Sequence, residues 1–303
     1  MDTSKLPELH QSLLKALDFF ISNPPQKLTL KITDQPFVVG SGNAYNTGKI
    51  IFENRPAIFA NESNLRHKLA AHRNLIKKGI IKQAIIISAS GEKDAIWEIQ
   101  ETKKHGLKTI LMTCNKDSQG AKIADKVILY NKLPEPQTYN ISTYLGMIIS
   151  ATGEKAINIK KFLNKIKLPT NFTSYQAFAF ILPDDFIQIT PMLDIKKHEL
   201  FGPHLSIRSF SEGDARHAKF VMPWEKELVI SFGKNKYFGL SAHRLQINLP
   251  SKYAAGLIMS LGYYLIGKIQ QNKPPYYKKN IKKYCQEGSR AYGRKEPFSI
   301  IVS

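Results

Sequence analysis

Two short runs of this sequence hold residues whose types and spacing support chemistry. In Ala84–Lys93, AIIISASGEK, four apolar residues form a run of the kind that makes a strand buried on both faces. The chain then turns polar at once with Ser88, Ser90 and Gly91, and a helical pattern starts near Glu92. A strand that ends in small hydroxyl residues at a helix N-terminus offers backbone N–H groups and O–H donors to an anion. The same residues also suit an ordinary strand-to-helix turn capped by Ser90. Further along, Lys196 and Glu199 stand three apart in a helical pattern, on one face of the helix. There an ammonium can hold a carboxylate ionised and ready to abstract a proton. The plainer reading of that pair is an exposed ion pair worth under about 1 kcal/mol.

The elements that must position these residues read as follows. Leu6, Leu9, Leu13, Leu14, Leu17, Phe20 and Ile21 predict an amphipathic helix ended by Asn23-Pro24-Pro25. A strand near Gln35–Gly40 runs into Ser41-Gly42-Asn43-Ala44-Tyr45-Asn46-Thr47-Gly48. Small residues there, Gly42 and Asn43 among them, let a backbone approach a ligand at the carboxyl end of a strand. No third glycine follows in the dinucleotide position, which argues against a nicotinamide fingerprint. A helix from about Thr47, a strand near Ala57–Ala60, a helix over Asn64–Gly79, the opening strand and a helix over Glu92–His105 come next. Leu107–Thr113 is a buried strand ending in the hydroxyl of Thr113, followed by a short helix, a strand at Lys126–Tyr130 and a helix over Asn140–Thr152.

Strands alternating with helices predict a parallel sheet flanked by helices, with the strand-end hydroxyls converging on one edge. The second half repeats the pattern weakly, with strands at Ala177–Leu182, Leu228–Phe232 and Leu245–Leu249 and helices over Ile187–Phe201 and Tyr253–Gln271. It has no hydroxyl-rich cradle of its own. The organisation expected is an N-terminal helix and lead-in (1–29), a first α/β domain (30–152), a linker (153–175), a second, degenerate α/β domain (176–272) and a basic tail (273–303).

Composition narrows the classes. The 303 residues suffice for two domains, and the hydrophobic share of 43% is that of a soluble globular protein. No apolar run of membrane-spanning length and no signal peptide is read. Two cysteines, Cys114 and Cys285, make neither a disulfide framework nor a metal site, and a cytoplasmic setting fits. A formal charge of +20 points to anionic partners. The charge gathers most in Lys273–Lys295, where eight Lys and Arg interleave with four tyrosines. That stretch reads as a solvated basic face or as a nucleic-acid-binding arm.

The three ordered motifs VVGSGNAYNTG, IISASGEKDA and LKTILMTCNKDSQGAKIADKVI together resemble the sugar isomerase (SIS) domain. Within that family they are most similar to the isomerase portion of glucosamine-6-phosphate synthase, and the whole chain has the size of the tandem phosphoglucose/phosphomannose isomerases. The resemblance implies two flavodoxin-like α/β domains binding a phosphosugar. Its phosphate would be held by Ser88, Ser90 and the N–H groups of Gly91 and Glu92, with Gly42, Asn43, Lys93 and Thr113 around it. Ala44 stands where the family has a ligand-touching serine, and Lys93 where the cradle has a threonine. Lys93 supplies a charge that suits a phosphate, while Ala44 forgoes a hydrogen bond worth about 1 kcal/mol.

The same resemblance, carried onto DIKKHELFGPHLSIRSFSEGDARHAKF, implies Glu199 as the shuttle of a proton between C1 and C2 of the sugar, His217 as the ring-opening group and Lys196 beside them. His198, His204 and His243 are alternatives for ring opening, Arg208 and Glu212 are further candidates to face the ligand, and Lys295 is a candidate lid residue. The activity implied is a metal-free, cofactor-free aldose–ketose isomerisation of a hexose or aminohexose 6-phosphate, an intramolecular oxidoreduction, by a homodimer that shares residues across subunits. With no cysteine before Cys114, ammonia transfer from glutamine is not expected of this chain alone, although a separate glutaminase partner would make it the isomerase subunit of a split synthase. A non-catalytic phosphosugar-binding protein and a nucleic-acid-binding protein are the rival readings.

Overall fold

A computed structural model describes residues 1–30, 35–291, 293 and 295–303. The chain divides into two compact units, Pro25–Lys132 with Thr143–Gly153, and Met1–Pro24 with Leu133–Ser142 and Glu154–Ser303.

Helix α1 (Leu9–Ser22) comes first and buries Leu9, Leu13, Ala16, Leu17 and Phe20, the apolar stripe its spacing dictates. Then β1 (Phe37–Gly40), α2 (Asn43–Phe52), β2 (Ile58–Ala60), α3 (Leu65–Ala71), α4 (Arg73–Lys77), β3 (Gln83–Ile87), α5 (Asp94–Lys104), β4 (Lys108–Thr113), α6 (Gln119–Ile123) and β5 (Lys126–Leu129) follow. The five strands form one parallel sheet in the order β2-β1-β3-β4-β5. A hydrophobic core runs from Phe37 and Val39 through Ile86 to Leu111. Helix α2 starts at Asn43 rather than near Thr47, because Gly42 at φ +55° turns the chain into the helix directly. The single helix expected over Asn64–Gly79 is two, broken at His72.

Next come β6 (Glu135–Pro136), α7 (Ile141–Thr152), α8 (Ala156–Leu163), β7 (Ala177–Leu182), α9 (Thr190–Phe201), β8 (Ser206–Ser211), α10 (Glu212–Ala218), β9 (Glu227–Phe232), β10 (Arg244–Ile247), α11 (Ala255–Gln271), α12 (Tyr276–Ala291) and β11 (Ile301–Val302). Strands β10-β9-β7-β8, in that order, make a second parallel sheet, and β11 pairs antiparallel with β6. Helix α1 packs against α8 and α11. The α/β class is therefore as expected, with two parallel sheets flanked by helices. Residues 153–175, expected as a linker with a short helix, contain α8 with Ala156, Ile159 and Leu163 buried. The tail is a helix, α12, that buries Tyr277, Ile281 and Cys285 and leaves its lysines largely outside. Among the described residues no helix is long and apolar enough to cross a membrane.

Candidate functional site

Register brings the strand ends of the first sheet level with one another: Gly40 of β1 pairs with Ile87 of β3, Ile87 with Met112 of β4. The loops that follow, Ser41-Gly42, Ser88–Lys93 and Cys114–Ser118, therefore leave from one edge. In a 2-1-3-4-5 order the connections after strands 1 and 3 run to opposite faces, and the crevice between them is where open α/β sheets bind ligands. The loop with Ser88 and Ser90 follows β3 at that point.

Within this loop the Ser88 hydroxyl accepts from the Gly91 N–H at 3.1 Å and the Ser90 hydroxyl from the Glu92 N–H at 3.2 Å. A hydroxyl that accepts from a backbone amide retains its own O–H to donate, so both serines remain anion donors. Gly91 has φ +64°, and its carbonyl accepts from the Gly120 N–H at 2.9 Å. The Thr113 hydroxyl donates to the Ala89 carbonyl and accepts from the Asn115 N–H, both at 3.2 Å. Thr113 is thus spent on holding the loop. Glu92 turns its carboxylate to the Gln119 N–H, 2.9 Å away, where it caps α6. Lys93, exposed, is the N-cap of α5 at φ +55° and ψ −118°, a backbone conformation glycine prefers. Asn43, 8% exposed, opens α2 with its Oδ1 buried and, among the described residues, without a hydrogen-bond partner.

Sequence reasoning missed Glu98. It is 1% exposed, and the Ser41 hydroxyl donates to its Oε1 at 3.3 Å, tying α5 to the loop after β1. Burial, reinforced by the charges of Asp94 and Glu62, pushes its carboxyl up to about 8. The signal was in the spacing: Ala95, Glu98, Ile99 and Thr102 form a helical stripe, all four are buried, and the acid lies in the middle of it.

The second constellation belongs to the other unit. Lys196 on α9 is fully buried, at 0% exposure, and its ammonium donates to Glu199 Oε2 at 2.6 Å and to the Thr138 carbonyl. It lies 5.6 Å from the centre of the Tyr263 ring on α11. This is not the exposed ion pair of the plainer reading: a buried ammonium is tolerated only because acceptors surround it. The Glu199 side chain keeps 23% of its surface open. Burial raises its carboxyl above the usual range and Lys196 opposes the rise. The segment that receives Lys196 was not foreseen either. Thr138 at φ +75° and Asn140 at φ +48° flank a fully buried Tyr139. The Tyr139 hydroxyl donates to the Pro7 carbonyl at 2.8 Å, and Gln270 donates to it at 3.1 Å. Glu135 accepts from the Ile141 and Ser142 N–H groups.

His217 is exposed on α10, and among the described residues no hydrogen bond, ion pair or ring contact joins it to Lys196 or Glu199. Lys295 is exposed beyond α12. Of the alternative histidines, His243 bonds Tyr175 at 3.0 Å and His204 stacks on Tyr276 at 4.4 Å. Arg208 holds Glu227 at 2.6 Å. Among the described residues no group of three or more His, Cys, Asp or Glu is arranged to hold a metal ion.

No protein family's sequence pattern matches the chain, and no curated protein does. Solved structures do. The C-terminal domain of glucosamine-fructose-6-phosphate aminotransferase from Francisella tularensis superposes with a TM-score of 0.60 at 13% identity, over 88% of this chain and 94% of that one. The glucosamine-6-phosphate deaminase of Thermotoga maritima gives 0.58 at 16% identity, over 86% and 91%. The tagatose-6-phosphate ketose/aldose isomerase of Escherichia coli gives 0.55 at 10% identity, over 87% and 90%. The chain shares their fold. That fold is the one the three ordered motifs implied.

Proposed function

We propose that the chain binds a hexose or aminohexose 6-phosphate and interconverts its aldose and ketose forms. The phosphate is taken by Ser88 and Ser90 at the edge of the first sheet, with Lys93 adding charge. Glu199 removes the proton from C2 of the open-chain aldose and returns it to C1 of the enediolate while the O2 proton passes to O1, so the carboxylate is regenerated and no electrons leave the substrate. Lys196 keeps Glu199 ionised enough to act. His217 is the group assigned to ring opening, and the enzyme works as a cytoplasmic homodimer.

The observation that carries this reading is the fully buried Lys196 whose ammonium is spent on a carboxylate that itself remains open to solvent. A pair kept only for stability gains little from that arrangement, since a buried ion pair seldom outdoes an apolar replacement. The three similar structures, a glucosamine-6-phosphate deaminase, a glucosamine-fructose-6-phosphate aminotransferase domain and a tagatose-6-phosphate ketose/aldose isomerase, support it.

The test is the interconversion of fructose 6-phosphate and glucose 6-phosphate by wild type and Glu199→Gln, with binding measured by calorimetry. We expect Glu199→Gln to bind the ligand normally and to lose turnover by about 10²–10⁴-fold. Turnover indifferent to that substitution sinks the mechanism. A second reading, binding without catalysis, is favoured by Ala44, which is buried at the start of α2 where the resemblance expects a ligand-touching serine. Tight binding with no turnover by wild type establishes that reading instead.

A further inference from the structure

Helix α12 is basic on its outside, and its inner stripe begins with Tyr277, which is 5% exposed. The Tyr277 hydroxyl donates to the Gln137 carbonyl, and its ring lies 5.1 Å from that of Tyr139. Gln137 precedes Thr138, whose carbonyl receives the Lys196 ammonium. We propose that Tyr277 is a positioning residue for the Lys196–Glu199 pair, acting through the segment Gln137–Thr138. The proposal deepens the reading of Glu199 as proton shuttle and rests on it.

Thr138 is a β-branched residue at φ +75°, where such residues do not settle unaided. Its neighbours must hold it there. The Gln137 N–H donates to the Ile300 carbonyl at 2.7 Å, the Tyr139 N–H to the Pro136 carbonyl at 3.0 Å, and Tyr277 holds the Gln137 carbonyl. Of these only the Tyr277 contact comes from a side chain, so it is the one a substitution removes cleanly. Lys196 depends on the result. With no surface exposed, its ammonium has the Thr138 carbonyl and Glu199 as acceptors, and a shifted carbonyl re-aims it. The groups that bear on Glu199 are Lys196 from α9, Tyr139 from the strained segment and Tyr277 from α12, while Glu135 bears on Lys196. Of the four, Lys196 is the cation. Loosening it moves the Glu199 carboxyl further up.

Tyr277→Phe removes the hydroxyl and keeps the ring. In the full chain labelled with ¹³C-glutamate, with the Glu199 carboxyl assigned by its absence in Glu199→Gln, the titration midpoint is expected to rise by about one pH unit in Tyr277→Phe. On fructose 6-phosphate, kcat is expected to fall about tenfold with KM unchanged, and the acid limb of the pH profile to move up with the midpoint. Ile281→Ala, which thins the packing of α12 without touching the phenol, is expected to leave the midpoint in place. A wild-type midpoint in folded Tyr277→Phe overturns the proposal, as does an equal shift in Ile281→Ala. Should Tyr277→Phe fail to fold, Tyr277→Met removes the same hydroxyl from the Gln137 carbonyl while keeping apolar bulk in the stripe of α12. It is expected to raise the midpoint, and a wild-type midpoint there overturns the proposal equally. If wild type proves inactive, the isomerase reading fails by itself, and the Glu199 titration alone decides whether Tyr277 positions the pair.

Discussion

A Cβ placed on Gly91 would lie 2.2 Å from the Ser118 Oγ. The serine loop after β3 and the loop that starts α6 are in contact at the one residue of the S-x-S-G run that has no side chain. The contact is reinforced by the Gly91 carbonyl on the Gly120 N–H.

Gly91→Ala is therefore expected to cost about 2–4 kcal/mol, from a left-handed backbone bearing a Cβ and an overlap that only loop movement relieves. Calorimetry is expected to show weakened sugar-phosphate binding as well, because the displaced loop carries Ser88 and Ser90. A variant with wild-type melting temperature and affinity would show that the two loops yield freely.

Glu98 makes stability fall with rising pH. Its carboxyl titrates near 4.5 when unfolded and at about 8 when folded. Between those values the folded chain holds a proton that the unfolded chain has released, so unfolding becomes easier as pH climbs through the interval. The loss is absent below the unfolded value and complete above the folded one. Glu98→Gln escapes it and is expected to gain on wild type by a few kcal/mol, roughly, between pH 5 and pH 8. Urea unfolding at both pH values checks this, and parallel behaviour of the two proteins contradicts it.

Lys196 and Glu199 are expected to be strongly non-additive. Lys196→Met leaves a carboxyl in a mostly apolar place, which then stays protonated; we expect about 2–4 kcal/mol of lost stability. The double variant Lys196→Met with Glu199→Gln is expected to cost less than the sum of the two single variants, by about 1 kcal/mol or more. Denaturation of the four proteins closes the cycle, and simple additivity would mean that the pair makes no specific contribution.

Gly267 on α11 faces α1 so closely that a Cβ would fall 2.1 Å from the His10 amide nitrogen. Backbone cannot step aside as a flexible side chain can, so Gly267→Ala is expected to lower stability by about 3 kcal/mol or more, read as a melting-temperature drop. His10, buried beside this contact, has its imidazole pulled down to about 4 by burial and by Lys268. It is neutral when folded and takes up a proton on unfolding below about 6.5, so the loss in Gly267→Ala adds to an acid weakness already present.

Legibility of the fold followed the apolar signal. AFAFIL at Ala177–Leu182 matched β7 residue for residue, because a strand buried on both faces announces itself in a continuous run. SIRSFS, the edge strand β8, is absent from the expected strands, since its outward positions are polar and its inward ones few. Helix α12 was hidden by its lysines: Tyr277, Ile281 and Cys285 recur every four residues, but the charge between them suggested an arm. The serine loop was legible because hydroxyls and glycine at a strand end have a local physical meaning. Thr138 was not, because its left-handed backbone is imposed by distant partners such as Ile300 and Lys196 and leaves no mark in local spacing.

The pairing of α1 with α11 has a consequence for synthesis. The unit with the serine loop is complete once Gly153 has been made, and it can fold while the rest of the chain is still emerging. Helix α1 belongs to the other unit, and its apolar stripe is covered in two steps, first by α8 and then, once Ala255–Gln271 has been made, by α11. Between those steps the stripe is only partly covered. Slowing translation beyond Gly153 lengthens its exposure without affecting the sheet already formed.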